Sequence, residues 1–490
     1  MVFKSVSSLK VVFLLSVLLI ACIAKVTVYS PKELKNRVAE KLGKERNHFD
    51  VSIANFGIIQ YGHSLIGRIY YDPSNPTGCE PFDEFDFSGD PDNAKHPSPI
   101  ILVDRGNCTF VRKVRNIEHA GGSLGIVIDH SKEDVKTVIM SDDGTGLGIN
   151  IPSLLISKGD GQILKDFLKE HHVEKYIKKD SEDEDDLTDK EKEDKRLIQR
   201  AALSVTFEFP HPDNRVEYDI WYTSTEDKAL DFIVDFEKYD ELLDDKVLMT
   251  PHFVTWSCTF CDDEYKKANC YGDGEYCSIG NPKSHKITGQ QILQEDLRQH
   301  CVYTLYKNKH SVFWDYIQHV HTNWYDYINE DCSKNAHKAL KLDYKKTKNC
   351  VEKSFKVDED ANSIDFKTEN KVLKDEAEYY KQYGSQFYPS IVINNRTYRG
   401  AFEPEGVFNT ICAGFKKAPP VWYDSINHKP TITRTMIIYA VIGLILLNIL
   451  MIFCYRRITQ REMKDNMRMH VNSAVSQYFA ISQREREQQA

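Results

Sequence analysis

The sequence predicts an α/β multidomain protein, carried out of the cytosol and tied to a membrane by one transmembrane helix. Three observations predict it. Two apolar runs stand near the ends of the chain, ten cysteines lie between them, and that stretch alternates short Val- and Ile-rich segments with helical patterns. Roughly 410 residues separate the two runs, too many for one hydrophobic core and suited to two or three domains.

The first run follows a short start that carries Lys4 and Lys10. Residues 11–24 are almost wholly apolar and end in Ala21-Cys22-Ile23-Ala24. A basic start, an apolar middle and a small final residue read as a secretory signal peptide over residues 1–24. The run is short for a membrane span. The second run, residues 436–455, holds twenty residues and no charge. That is the length that crosses about 30 Å of hydrocarbon. Arg456 and Arg457 follow at once, then Arg461, Lys464 and Arg468. The positive-inside rule places residues 456–490 in the cytoplasm as a tail.

Cysteine usage fits that topology. Of twelve cysteines, Cys22 and Cys454 fall in the apolar runs. The other ten are Cys79, Cys108, Cys258, Cys261, Cys270, Cys277, Cys301, Cys332, Cys350 and Cys412, an even number that an oxidising lumen would pair. Asn107-Cys108-Thr109 and Asn395-Arg396-Thr397 are glycosylation sequons at Asn107 and Asn395. The net charge of −9 and the lack of a basic patch argue against nucleic-acid binding.

The first lumenal unit runs over residues 25–212. Short strands are expected at 25–29, 51–54, 67–71, 100–103, 125–128 and 151–156. Residues 110–117 place apolar side chains at spacings of three and four, a helix that Gly121-Gly122 ends. A second helix is expected over 161–178. Residues 180–196, DSEDEDDLTDKEKEDKR, have almost no apolar content. They read as a disordered acidic surface loop, with a charged extended helix as the alternative. A strand at 203–209 returns to the unit.

The second unit runs over residues 213–415. It opens with a strand at 215–222 and a helix at 229–239. A strand at 252–256 leads into Cys258-Thr259-Phe260-Cys261. A cysteine-rich helical stretch follows, then a strand at 387–394 entered through Pro389, then a last helix. Strand, helix, strand, CxxC, helical insert, proline-led strand and helix is the order of a thioredoxin-like fold. Residues 416–435 form a juxtamembrane linker.

Specific stretches resemble a known family. Ala54-Asn55-Phe56-Gly57, Tyr61-Gly62, Phe82-Asp83-Glu84-Phe85, Asp104-Arg105-Gly106-Asn107-Cys108-Thr109-Phe110 and Ile151-Pro152-Ser153-Leu154-Leu155-Ile156-Ser157-Lys158 resemble the protease-associated domain of vacuolar sorting receptors. His211-Pro212-Asp213-Asn214-Arg215-Val216-Glu217-Tyr218, Val302-Tyr303, Trp314-Asp315-Tyr316 and Ile411-Cys412-Ala413-Gly414-Phe415 are similar to that family's central domain. The resemblance implies a type I membrane receptor that binds soluble vacuolar or lysosomal cargo in the Golgi or endosomes, needs no cofactor and is not an enzyme. It maps the cargo loop onto Arg105, Gly106, Asn107, Cys108, Thr109 and Phe110. Plant members carry epidermal-growth-factor-like repeats before the span. The short cysteine-free stretch after Cys412 has none, so calcium binding by such repeats is not expected.

The residues allow a chemical reading of that loop. The Arg105 guanidinium is a fixed fork of donors suited to a carboxylate or peptide carbonyl. Its alternative is a surface salt bridge to Asp83, Asp86 or Asp104. Gly106 lets backbone approach a ligand. Cys79 and Cys108 are the cysteines of the first unit and are expected to pair, which would pre-order the loop.

The rival reading is a thiol-disulfide oxidoreductase or folding factor using Cys258 and Cys261, with Pro389 facing them. Its alternatives are a structural knot of Cys258, Cys261, Cys270 and Cys277, or a zinc site made by the same four. No G-x-S-x-G, H-E-x-x-H or P-loop pattern is present. In the tail, Tyr478-Phe479-Ala480-Ile481 matches a tyrosine-x-x-apolar sorting signal for clathrin adaptors, beside basic residues that attract anionic lipid. His96, His130 and His211 are candidates for acid-driven release.

Overall fold

The computed structural model describes residues 24–43, 48–85, 98–178, 187–278, 287–309, 311–324, 328–357, 363–383, 387–422 and 434–487. The signal peptide expectation therefore lies outside the described residues, except for Ala24. Residues 1–422 form one compact unit and residues 423–490 another.

The first domain is built on a seven-stranded sheet in the order β1-β7-β3-β4-β5-β6-β2. Its strands are β1 (Ala24–Ser30), β2 (Val51–Ile53), β3 (Ser64–Tyr70), β4 (Ile100–Asp104), β5 (Leu124–Ile128), β6 (Ser153–Ile156) and β7 (Ala202–Phe207). β3, β4, β5 and β6 run parallel, and β1, β7 and β2 pair antiparallel. β5 and β6 are buried along their whole length, as strands covered on both faces must be. Helices α1 (Lys32–Leu42), α2 (Phe110–His119) and α3 (Lys158–Glu170) cover the sheet.

Two local expectations change here. The helix expected over 161–178 is α3 and a separate turn, α4 (Val173–Tyr176). His172 between them takes a left-handed backbone at φ 55°, which stops α3 from continuing. Within the acidic segment, residues 179–186 lie outside the described residues, but α5 (Asp189–Gln199) is helical. The expectation of a disordered loop is corrected for that half. Thr188 and Glu191 form a capping box, Ile198 is fully buried, and Asp194 accepts a 2.6 Å hydrogen bond from His171. A reciprocal cap and one apolar anchor offset the charge repulsion along the helix.

The second domain has a four-stranded sheet in the order β13-β12-β8-β9. Its elements are β8 (Val216–Tyr222), α6 (Asp227–Leu243), β9 (Val247–Phe253), β12 (Ser390–Ile393), β13 (Arg396–Thr397) and α13 (Pro404–Ala413). β8 and β9 are parallel across α6, and β12 runs antiparallel to β8. The strand expected at 252–256 is β9, which starts five residues earlier and ends at Phe253. Asn394 and Asn395 form the β12–β13 turn with φ of 45° and 60°, the left-handed pair that a two-residue hairpin demands.

Between β9 and β12 lies the cysteine-rich insert. Its elements are α7 (Asp263–Asn269), β10 (Cys270–Tyr271), β11 (Tyr276–Cys277), α8 (Gly289–Tyr306), α9 (Ser311–Trp324), α10 (Glu330–Ala339), α11 (Tyr344–Ser354) and α12 (Lys371–Tyr383). A second apolar cluster of Leu293, Leu297, Val351, Phe355 and Leu373 holds it together, with the Cys301–Cys350 bridge between α8 and α11.

The two domains share one core and dock through backbone. The Tyr61 hydroxyl donates to the Arg399 carbonyl at 3.2 Å and accepts from the Arg399 N–H at 3.3 Å. Ala401 N–H donates to the Gly57 carbonyl at 2.8 Å. Gly400 between them has φ 116°, and a Cβ there would meet Ile59 at 3.0 Å. Only glycine fits that conformation and that approach.

Candidate functional site

The loop 105–109 leaves the C-terminal end of β4, the edge at which ligands meet open α/β sheets. Gly106 and Asn107 both have positive φ, 119° and 66°. They turn the chain sharply so that Thr109 can cap α2, its hydroxyl accepting from the Arg112 N–H at 3.3 Å. Cys108 is bonded to Cys79, which ties the loop to residues 72–79. Asn107 is exposed.

Arg105 donates from Nη1 to Asp129 Oδ1 at 3.0 Å, and its guanidinium stacks over the Phe110 ring at 5.5 Å. The partner is not one of the carboxylates expected from the sequence. Asp104 is held by Lys165 at 2.8 Å, Asp83 by Lys178 at 2.8 Å, and Asp86 lies outside the described residues. Asp129 stands just past the end of β5, whose Ile128 pairs with Asp104 of β4. Parallel strands end on one edge, so the residues after them meet. Burial pushes the Asp129 carboxyl up, but hydrogen bonds from Ser131, Arg105 and His130 outweigh it and leave it below the usual range. A permanent carboxylate therefore orients Arg105, whose side chain is 28% exposed.

Under the loop sits Lys113, with 0% exposure. Its Nζ donates to the Gly106 carbonyl at 2.6 Å and the Thr77 carbonyl at 2.7 Å, and lies 3.4 Å from Cys79 Sγ. Burial lowers its pKa to about 8, against a smaller upward pull from Asp104. Lys113 is not among the residues that the sequence singles out. It lies three residues after Phe110 and four before Ile117, on the buried face, and that spacing was the available signal.

Of the candidate histidines, His130 lies beside the Asp129 carboxylate that orients Arg105. His130 Nδ1 is 3.6 Å from Asp129, His211 Nδ1 contacts the Phe209 carbonyl at 2.9 Å, and His96 is outside the described residues.

The Cys258-Cys261 pair is bridged, as are Cys270 and Cys277. Two adjacent bridges make a structural knot. Four thiols joined in this way present no ligand set for zinc. Cys258 is 0% exposed, and its N–H is held by the Gly274 carbonyl at 2.8 Å. Exchange needs an accessible sulfur and a lowered thiol pKa. Asp262 caps α7, and Asp263 and Glu264 fill its first turn. The helix N-terminus inside the β8–α6–β9 unit carries Thr223, Ser224, Thr225 and Glu226 and no cysteine. Pro389 does not face the CxxC. Ser390 pairs with Trp221 on one side of β8, while β9, which leads to Cys258, lies on the other.

The expectation that all ten cysteines pair is also corrected. Four bridges form, and Cys332 and Cys412 are buried thiols outside them. Each is packed within its own helical layer, and burial pushes the Cys412 thiol up to about 12.

The fold is a parallel α/β domain joined to a thioredoxin-like domain whose Cys258 and Cys261 are bridged to each other. Comparison with known proteins agrees. The family described as the vacuolar sorting receptor thioredoxin-like domain matches residues 216–412, and the PA domain family matches residues 65–164. The chain is 31% identical over 418 residues to vacuolar-sorting receptor 1 of Pisum sativum, covering 80% of this chain and 59% of that one. It is 30% identical over 395 residues to vacuolar-sorting receptor 4 of Arabidopsis thaliana, covering 75% and 57%. The chain belongs to the vacuolar-sorting-receptor family, a family of receptors and not of enzymes. It spans less than two thirds of the length of those relatives, 59% and 57%. A solved structure of the oxidoreductase DsbA from Xylella fastidiosa is similar at 10% identity and a TM-score of 0.25, over 41% of this chain and 84% of that one. A likeness at that level carries nothing about chemistry.

Proposed function

We propose that the chain is a single-pass type I receptor that binds soluble proteins in the Golgi or endosomal lumen and sorts them to a vacuole or lysosome-like compartment. The observation that carries this reading is the pre-ordered Arg105 loop, bridged by Cys79–Cys108, braced by Lys113 and aimed by Asp129. Pre-ordering removes part of the entropy cost of binding. The likeness to vacuolar-sorting receptors of Pisum sativum and Arabidopsis thaliana supports the same class of cargo.

The membrane part of the proposal rests on sequence. α14 (Arg434–Glu487) contains residues 436–455 and continues through the tail. Among the described residues no helix is long and apolar enough to cross a membrane, and the side chains of residues 434–445 are outside the description. Tyr478 and Ile481 fall in the helical part of α14. An adaptor that reads them as an extended peptide must unwind that turn. Asn107 and Asn395 are both exposed and are the proposed glycan acceptors. The basic residues from Arg456 to Arg468 would attract anionic lipid.

The test is affinity capture of soluble vacuolar or lysosomal hydrolases on the purified full chain in detergent, with Arg105→Ala beside it. The reading expects capture by the wild type and a loss of about tenfold or more in the variant. Failure of the wild type to retain any such hydrolase overturns it.

A further inference from the structure

The docked domains enclose a cleft of about 720 Å³, within the size range of ligand sites and at a domain junction where such sites concentrate. One wall is the 141–147 loop of the first domain. The other is the first half of α6 with the lead-in to α13. Its charge is one-sided, with Asp142, Asp231, Asp235 and Glu403 against the single Lys228. Asp231 is engaged by His321 at 2.9 Å, and Asp142 accepts the N–H groups of Gly144 and Gly146. The side chains of Asp235 and Glu403 make no ion pair with any described residue. Between these charges the wall is apolar. Phe232 packs on Phe402 at 4.6 Å, and Leu147 stands 82% exposed at the lip.

We propose that this cleft is a second binding site, for an extended peptide segment carrying an apolar side chain flanked by lysines or arginines. The inference rests on the reading of the chain as a cargo receptor and adds a further contact for the cargo. Its chemistry follows from the walls. An apolar side chain displaces water from Leu147 and Phe402, and flanking cations are drawn to Asp235 and Glu403. The excess of carboxylates repels an acidic segment and any phosphate backbone. The cleft also shares structure with the Arg105 loop. Arg115 of α2, the helix that the Arg105 loop starts, donates to the Thr145 carbonyl in the 141–147 loop. One cargo chain crossing that loop reaches both sites.

The test uses the full chain in detergent and fluorescence anisotropy with two end-blocked heptapeptides. One has lysines flanking a leucine and a phenylalanine; the other has glutamates in place of the lysines. The lysine peptide is expected to bind and the glutamate peptide not. Asp235→Lys combined with Glu403→Lys weakens binding by about tenfold or more. Leu147→Lys, at a site too exposed to disturb folding, weakens it in the same direction. Equal binding of the two peptides, no binding of the lysine peptide, or unchanged affinity in both cleft variants overturns the cleft site. Those results leave the receptor reading standing wherever the full chain still captures hydrolases through Arg105. Loss of that capture with the lysine peptide still bound overturns the receptor reading alone.

Discussion

Lys113 donates from a fully buried Nζ to the carbonyl of Gly106 at 2.6 Å, so the residue next to Arg105 is fixed from below by a charge in the core. The same ammonium holds the Thr77 carbonyl, and so spans both segments that the Cys79–Cys108 bridge joins. Lys113→Met keeps the length of the side chain and removes the donors. The Thr77 carbonyl then loses the ammonium, at a cost of about 1–3 kcal/mol for a buried group left unsatisfied, and the Gly106 carbonyl keeps only the Cys108 N–H at 2.9 Å. Thermal unfolding of the full chain should report destabilisation, and hydrolase capture should fall although Arg105 is intact. Unchanged stability and capture would show that the loop needs no brace.

The second domain should prefer mildly acidic to alkaline conditions. His252 loses solvation on burial, which lowers its pKa, but Asp219 and Glu376 outweigh this and raise it to about 9. A raised histidine adds stability that is complete below about pH 6.5, its ordinary value, and is lost as pH rises through 9. Burial pushes Asp296 up to about 7, against hydrogen bonds from Ser224. A raised carboxyl favours the fold while protonated, so that contribution falls as pH rises from about 4 to 7. The two effects have the same sign. The unfolding temperature should drop by several degrees between pH 6 and pH 9, and His252→Gln should flatten the upper part of that slope. A rise over the same window would contradict the assignment.

Much of this molecule is legible in the sequence, and the parts that are not share a cause. β4, β5 and β6 announce themselves as apolar runs because both faces are buried. The CxxC is visible as a motif, but its role depends on which strand it follows, and register across β8 is a tertiary property. Asp129 is 24 residues from Arg105 and meets it only because β4 and β5 are parallel neighbours. Lys113 hid behind its residue type, since lysine is rarely buried unless paired. The helix at Asp189 is hidden by its acidic composition, although Thr188 and Glu191 carry the spacing of a capping box.

Cys258 and Cys261 should be structural. Replacing both with serine removes one of two adjacent bridges and should destabilise the insert by about 2–5 kcal/mol. Purified wild type should show no reduction or oxidation of a test disulfide. Turnover that disappears in the double variant would restore the oxidoreductase reading.

Tyr478→Ala and Ile481→Ala should each move a tagged receptor toward the cell surface while leaving hydrolase capture unchanged. In an extended peptide the ring of Tyr478 fills one adaptor pocket and Ile481 a second, apolar one, so binding would need both. Phe479→Ala should have a weaker effect. An unchanged distribution in both alanine variants would mean that the tail match is accidental.

The central claim is that the Arg105 loop selects cargo for delivery. It is tested most directly in cells lacking this chain, by measuring the fraction of a soluble vacuolar or lysosomal hydrolase that is secreted. The account predicts heavy secretion in those cells, correction by the wild-type chain and no correction by Arg105→Ala expressed at equal level and in the same compartments. Full correction by Arg105→Ala, or no secretion when the chain is absent, would contradict it.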